Sequence, residues 1–313
     1  MSKAYLSIVI PCYNEEEVLE ITIKELITIL EKLKVNLISR YQIVLTNNGS
    51  TDNTLSVMLS LKKRFKEIKI VDLRNNFGYQ SSISAGLFNA DGDLIISIDA
   101  DLQDDPLKIK EMIELYYQGY DMVLGIRKSR KSDGVLKRIF SQGFYFLMKL
   151  LGAKSEYNHG DFRLMTKELV NTLKEHPEKN RYIRGLILSI ENKYAKVYYE
   201  RKSRNLGKSK FKPIHLISLA LDGITSFSIK PIRYILFLGI LMFFVSLIII
   251  VYIVYLKFSQ STLPIRGWTS TLAIILFFGG VQNISLGIIG EYLAKTYTET
   301  KQRPWYIVRK IYN

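Results

Sequence analysis

Two carboxylates, Asp99 and Asp101, are the residues of this 313-residue chain best placed to do chemistry. They stand one residue apart inside the stretch from Asp93 to Asp105, directly after the apolar run of residues 94–98. A short apolar run ending abruptly in acids is what the carboxyl edge of a parallel sheet looks like. Open α/β sheets bind their ligands at that edge. With the carbonyl of Gln103, the pair offers hard oxygen ligands suited to Mg²⁺ or Mn²⁺. Such an ion would neutralise and position a diphosphate. The competing reading is a solvated acidic turn that opens the next helix, with Pro106 near its first turn. The spacing alone does not choose between them.

Three further clusters carry reactive or binding side chains. Residues 11–15 (Pro11, Cys12, Tyr13, Asn14, Glu15) and 47–52 (Asn47, Asn48, Gly49, Ser50, Thr51, Asp52) follow the first two predicted strands. On a parallel sheet both loops reach the edge that holds Asp99 and Asp101. Asn and Asp there either read a base and hold ribose hydroxyls, or serve turns and caps. His159-Gly-Asp-Phe-Arg163 reads as a glycine-containing loop bearing an acid, Asp161. His159 has no second His or Cys beside it, so it reads as an ordinary histidine rather than a metal ligand. Residues 201–210 interleave Arg and Lys with Gly and Ser. That pattern suits a flexible phosphate clamp, a stretch lying on anionic lipid, or both.

Predicted strands and helices around these groups follow one another in order. Residues 5–10 form a first strand, and a helix with acids in its first turn runs to about Leu33. Residues 42–45 are a second strand. The Asn48-Gly49 pair normally signals a hairpin, but a helical pattern follows over 52–65. A βα loop is therefore expected, capped by Ser50, Thr51 or Asp52. Strands over 68–73, 94–98 and 122–124 alternate with helices over 77–89 and 106–118. Such alternation predicts a doubly wound, mostly parallel α/β sheet.

The rest of the chain is more apolar and more basic. Residues 234–256 and 267–290 are 23 and 24 residues without a charge. At about 1.5 Å per residue each exceeds the roughly 30 Å core of a bilayer. Buried soluble helices are the alternative; two such runs together point to membrane spans. Basic residues crowd outside the pair, Lys230 and Arg233 before it and Lys295, Lys301, Arg303, Arg309 and Lys310 after it. Only Lys257 and Arg266 lie between. Both termini are therefore expected in the cytoplasm. Residues 137–151 and 211–229 read as amphipathic helices at the membrane interface, with a core helix as the alternative for the first. Anionic lipid and topology account for much of the +15 formal charge without nucleic acid. With 48% hydrophobic and 23% charged residues a packed core is expected. The single Cys12 excludes an internal disulfide and suits a reducing compartment. The N-terminal apolar run is short and ends at Pro11, so no signal peptide is expected. The expected domains are a catalytic domain over 1–210, a juxtamembrane helix over 211–231, two transmembrane helices over 232–294 and a cytoplasmic basic tail over 295–313.

Taken in order, several motifs resemble family 2 glycosyltransferases. They are Ile10-Pro-Cys-Tyr-Asn-Glu-Glu16, Asn47-Asn-Gly-Ser-Thr-Asp-Asn-Thr54, Asn76-Phe-Gly-Tyr-Gln80 with Ala85-Gly86, Asp99-Ala-Asp-Leu-Gln-Asp104, Asp161-Phe-Arg-Leu164 and Arg204-Asn-Leu-Gly-Lys-Ser-Lys-Phe211. The closer resemblance is to the polyprenyl-phosphate glycosyltransferases, the group of dolichol-phosphate mannose synthase and bacterial undecaprenyl-phosphate glucosyltransferases. Gly290-Glu-Tyr-Leu293 and Arg303-Pro-Trp-Tyr306 resemble the bacterial branch.

The resemblance implies a GT-A fold, Rossmann-like, and an inverting transfer from a nucleotide sugar to a polyprenyl phosphate. A UDP-sugar and undecaprenyl phosphate are the expected pair, and the product would serve later cell-envelope glycan modification. It implies a Mg²⁺ or Mn²⁺ ion on Asp99, Asp101 and Gln103, with Asp101 essential to catalysis. Pro11, Tyr13, Glu15 and Asn48, with Asp99, match nucleotide-sugar positions. Arg204 and Lys210 match a diphosphate clamp. Arg127, Lys137 or Arg138, and Ser141 fall where the family binds the acceptor phosphate. Asp161 matches the acid proposed as base. It also implies a multi-pass protein of the plasma (inner) membrane with a cytoplasmic catalytic domain, and it permits a homo-oligomer.

One departure stands out. The family usually carries Asp-Asp-Gly-Ser where this chain has Asn47-Asn48-Gly-Ser. Asparagine keeps a carbonyl acceptor, but it adds donors and loses charge. That change bears on base identity and donor affinity. Two other readings follow. A processive polysaccharide synthase would need a Gln-x-x-Arg-Trp motif and more spans than two. A non-catalytic membrane protein would bind the nucleotide sugar and stop there.

Overall fold

The computed structural model describes residues 3–101, 103–128, 156, 158–176, 178, 183–200, 230–258 and 268–313. Their apolar runs pair into one sheet. Its strands are β1 Ala4–Cys12, β2 Ile38–Asn47, β3 Ile68–Leu73, β4 Leu94–Ser97, β5 Met122–Arg127, β6 His159–Thr166, β7 Tyr194–Tyr199 and β8 Val308–Tyr312. The order across the sheet is β7-β5-β6-β4-β1-β2-β3-β8. The strands β1, β2, β3 and β4 run parallel, as do β5 and β7. The antiparallel members are β6, between β4 and β5, and β8, at the β3 edge.

Helices cover both faces: α1 Leu19–Asn36, α2 Thr54–Arg64, α3 Tyr79–Phe88, α4 Ile109–Tyr117, α5 Lys167–Glu175 and α6 Ile183–Ile190. The alternation along β1 explains the two layers. Ile8 and Ile10 join Leu26 of α1 and Met112 of α4 in one core, while Val9 joins Ile83 of α3 and Leu173 of α5 in the other. A central parallel strand buried on both faces reads as a near-continuous apolar run, which is why the sequence shows β1 and β4 so clearly.

Two expectations change. The stretch 159–163 is not a loop but the start of β6. Its polar residues are buried because Asp161 and Arg163 pair with each other, which hides the strand's pattern. The end of the chain is not simply a basic tail. Val308–Tyr312 is a strand that pairs antiparallel with β3.

Two long helices, α7 Lys230–Phe258 and α8 Trp268–Thr300, contact one another. They expose apolar side chains, among them Leu236, Phe237, Ile248, Phe277 and Ile284. Among the described residues no helix is long and apolar enough to cross a membrane. Several side chains inside both helices, those at 246, 247, 249 and 250 included, lie outside that description. The expected amphipathic helices over 137–151 and 211–229, and the candidates Lys137, Arg138, Ser141, Arg204 and Lys210, also lie outside the described residues.

Candidate active site

Strand direction decides what meets at the carboxyl edge of the sheet. β1, β2, β4 and β5 end there, and the antiparallel β6 begins there. The edge therefore gathers Cys12 beside Asn47, Ser97 beside Arg163, and Ile126 beside His159.

The loops after β1 and β2 form one hydrogen-bonded unit. The Asn48 amide donates to the Cys12 carbonyl at 2.9 Å. Asn14, in the left-handed region at φ 56°, accepts from the Thr51 amide at 2.8 Å. Its own amide donates to Ser50 Oγ at 3.1 Å, and the Glu15 amide donates to Thr54 Oγ1 at 2.8 Å. Asp52 stands just before the N-cap Asn53 and accepts from the amide of Thr54, the first residue of α2, at 3.0 Å. Asn48 is turned toward the segment after β3. Its carbonyl accepts from the Phe77 amide at 3.0 Å, and its amide donates to Asn76 Oδ1 at 3.1 Å. Gly49 fits only as glycine: φ is +63° and an added Cβ would stand 2.4 Å from the Asn75 carbonyl carbon. Pro11 is buried, while Tyr13 and Glu15 are partly exposed on this edge.

The acids after β4 divide their work. Asp105 caps the short 3-10 turn Pro106–Lys108, accepting from the Leu107 amide at 3.2 Å. Capping therefore belongs to Asp105, which leaves Asp99 and Asp101 for other roles. Asp101 accepts from the Gln103 amide at 3.2 Å, bringing Asp101 and Gln103 together. Thr22 of α1 anchors the loop by donating to the Ala100 carbonyl at 2.6 Å. Asp99 accepts from the Tyr79 hydroxyl at 2.7 Å. Its carboxyl is pushed up from the usual range, first by burial and then by the carboxylates of Asp104 and Asp161. Among the described residues no group of three or more His, Cys, Asp or Glu forms a metal cage. Two carboxylates and one amide carbonyl make a more open set, of the kind that leaves positions for water and phosphate.

Asp161 is 2% exposed and lies between two arginines. Arg163, itself fully buried, pairs with Oδ1. Arg184 of α6 reaches both oxygens through Nε, at 3.2 and 3.1 Å. Burial works to raise this carboxyl, but Arg184 and Arg163 outweigh it and hold it well below the usual carboxylate range. Beside it, His159 is held far below its ordinary value by burial and by the same two arginines. Across the edge, Arg127 Nε donates to the Tyr199 hydroxyl at 3.2 Å, and its Nη2 lies 3.6 Å from Asp104. Tyr199 donates to Asp104 at 2.5 Å. Gly160 leaves room for the Arg127 guanidinium, 3.0 Å from where a Cβ would stand.

The expected residues Asn48, Asp99, Asp101, Gln103, Arg127 and Asp161 thus share one edge. Sequence reasoning gave no role to Tyr79, Asp104, Arg184 or Tyr199. Tyr79 and Asp104 lie inside motifs already singled out. Arg184 and Tyr199, on a helix and at a strand end, carry no local signal.

Residues 7–174 match the family described as Glycosyl transferase family 2. The chain belongs to that family. It is a glycosyltransferase with a GT-A-like α/β fold. It is 40% identical to the uncharacterized glycosyltransferase YkoT of Bacillus subtilis over 98% of this chain and 92% of the relative. It is 39% identical to a prophage bactoprenol glucosyl transferase homolog of Escherichia coli, over 98% of this chain and 99% of that one. A bactoprenol glucosyl transferase of Shigella phage SfX is also 39% identical, over 97% and 98%.

Proposed function

We propose that this glycosyltransferase moves a sugar from a UDP-sugar to a polyprenyl phosphate, with undecaprenyl phosphate as acceptor and inversion at the anomeric carbon. One observation carries the reading. The similarity to proteins named for bactoprenol runs through nearly the whole chain, long helices included. The convergence of the Asn48 loop, the acids and Arg127 at one edge supports it.

The chemistry asks for little proton transfer. A phosphate monoester has a second pKa near 6, by analogy with phosphorylated side chains, so the acceptor is an anion at neutral pH. One of its oxygens attacks the anomeric carbon, and the bond to the diphosphate breaks with its electron pair leaving on the nucleoside diphosphate. The task is to hold two anions together and to stabilise the departing one. Arg127, braced by Tyr199 and Asp104, faces the acceptor phosphate. Asp161, already paired with two cations, is poorly suited to accept a proton; it orients Arg184 and Arg163 instead. Arg204 and Lys210 supply the clamp on the leaving diphosphate. Asp99, Asp101 and Gln103 would hold Mg²⁺ or Mn²⁺. The Asp99 carboxyl is lifted first by burial and then by neighbouring negative charge, and the second is what a cation would relieve. When bound, such an ion neutralises diphosphate charge.

The proposal extends to a seat at the cytoplasmic face of the plasma membrane, with α7 and α8 as spans once the side chains outside the described residues are counted, and lipid as partner. Helices of 29 and 33 residues, at about 1.5 Å per residue, exceed the roughly 30 Å hydrocarbon core. Their exposed Leu, Ile and Phe side chains suit lipid better than water.

The deciding experiment incubates purified protein with undecaprenyl phosphate, Mg²⁺ or Mn²⁺ and each of a panel of nucleotide sugars, reading the lipid product by mass. A metal-dependent gain of one hexose or N-acetylhexosamine supports the proposal and names sugar and base together. Folded protein that binds nucleotide yet yields no lipid product with any donor would overturn the acceptor assignment.

A further inference from the structure

The C-terminal segment is built into the side of the fold that carries the Asn47–Thr54 loop. β8 pairs with β3, Val71 opposite Ile311 and Asp72 opposite Lys310. Just beyond, the Arg74 amide donates to the Ile307 carbonyl at 2.9 Å. Arg309 Nη2 donates to the Arg74 carbonyl at 2.9 Å. The Trp305 ring lies against Phe88 at the end of α3, with centroids 6.2 Å apart. The segment that follows α8 therefore grips both β3 and α3.

Asp72 is where this grip meets the loop. Its carboxylate is 1% exposed. Oδ1 accepts from Asn47 Nδ2 at 2.7 Å, and Oδ2 faces Arg309 Nη1 at 3.8 Å. The other end of the Asn47 amide accepts from the Ser50 backbone amide at 3.1 Å. That bond closes the turn carrying Asn48 and Gly49. The same turn touches the segment after β3 again, through Asn48 to Asn76.

We propose that the C-terminal strand is a positioning element of the donor site, acting through Asp72 on Asn47, and that asparagine at 47 is the residue this arrangement requires. The inference rests on reading the 47–54 loop as the nucleotide-binding loop. Its logic is hydrogen-bond polarity. An amide accepts from Ser50 with one end and donates to Asp72 with the other. An aspartate could only accept, so it would keep Ser50 and set two carboxylates face to face. Arg309 is half exposed and 3.8 Å away, too screened to neutralise both. The departure at position 47 is then a matched pair with Asp72 rather than a damaged site.

The test uses the full chain in detergent or lipid nanodiscs, with UDP affinity measured by calorimetry and donor KM and kcat measured from pH 6 to 8.5. Arg309→Ala is expected to raise donor KM roughly threefold with kcat held, and Arg309→Lys to recover most of it. Asn47→Asp is expected to weaken UDP binding roughly tenfold at the alkaline end, recovering toward pH 6 as one proton is shared between the two carboxylates. The exchange of both residues, Asn47→Asp with Asp72→Asn, restores an amide–carboxylate pair and should return affinity to within a few-fold of wild type. Asn47→Asp with wild-type affinity at every pH would overturn the proposal, as would a double variant no better than the single one. Should Asn47→Asp fail to fold, an unchanged donor KM in Arg309→Ala overturns it alone. Wild type that binds no UDP would instead overturn the donor-site reading; wild type that binds UDP beside unresponsive variants overturns only this inference.

Discussion

Arg184 reaches both carboxylate oxygens of Asp161 through its Nε, at 3.2 and 3.1 Å, from the first turn of α6. The acid is thereby tied to the second helix after its own strand, 23 residues on. Removing its charge leaves Arg163 buried without its counter-ion. Breaking a buried pair from one side costs about 3–5 kcal/mol. Asp161→Asn should therefore lower the thermal midpoint sharply, while Arg184→Ala, which leaves Arg163 in place, should lower it less. The Asp161 carboxyl is held below its ordinary value. A depressed carboxylate contributes stability that is fully present above the unfolded pKa and lost only as pH falls through the folded one. The stability gap between wild type and Asp161→Asn should then be flat from about pH 5 to 8. A gap that opens or closes near neutrality, seen in melts across that range, would restore Asp161 as a general base.

His159 gives a pH signature of the same sign in a higher pH window. Burial and the two arginines hold it neutral in the fold. Above about pH 6.5 neither state carries the proton. Below that, only the unfolded chain takes it up, so stability falls as pH falls. The slope approaches about 1.4 kcal/mol per pH unit until the folded pKa is reached. Replacing His159 with Gln should flatten this part of the acid limb. Melts of both proteins at pH 7.5 and 5.5 measure it: the wild type loses more than the variant. Equal losses would mean that His159 is protonated in the fold.

How legible this was depends on what each strand buries. β1 and β4 were readable because they are buried on both faces and nearly all apolar, and β3 through Ile68, Ile70, Val71 and Leu73 despite Lys69 and Asp72. β6 was not. Its Asp161 and Arg163 face inward because they pair, and a buried ion pair looks in sequence like a surface loop. β8 was hidden by Arg309 and Lys310, whose charges read as a tail until β3 is beside them. Asp99, Asp101, Gln103 and Asn48 were expected at one edge because parallel strands deliver neighbouring loops there, and the fold places them on it. Arg184 was missed because an arginine on a helix ordinarily faces solvent, and only the fold brings it to Asp161.

The acids after β4 make a prediction separable from folding. Asp101 holds the Gln103 amide at 3.2 Å, so its removal costs about 1 kcal/mol as a lost turn bond. Asp101→Ala should leave the protein folded and still bound to membrane lipid, yet without sugar transfer at any Mg²⁺ or Mn²⁺ concentration. Asp105→Ala, which removes the cap of the 106–108 turn and none of the proposed ligands, should retain most activity. Transfer by Asp101→Ala at the wild-type rate would remove the metal assignment.

Two glycines separate a structural requirement from a functional one. At Gly49 an added Cβ meets backbone, 2.4 Å from the Asn75 carbonyl carbon, and φ is +63°. Neither the backbone nor the left-handed conformation can yield cheaply. Gly49→Ala should therefore cost more than about 1 kcal/mol of stability and disturb the donor loop with it. At Gly160 the nearest atom is the Nη2 of Arg127, 3.0 Å away, the free end of a long side chain. Gly160→Ala should leave the melting temperature nearly unchanged but push the guanidinium away from its seat beside Tyr199 and Asp104. On the proposed acceptor role of Arg127, the acceptor KM rises and the donor KM does not. Tyr199→Phe, which removes the hydroxyl holding Arg127 Nε at 3.2 Å, should act in the same direction. Kinetics with each substrate varied in turn distinguish the cases, and a Gly160→Ala enzyme whose donor KM changes instead would place Arg127 on the nucleotide rather than on the lipid.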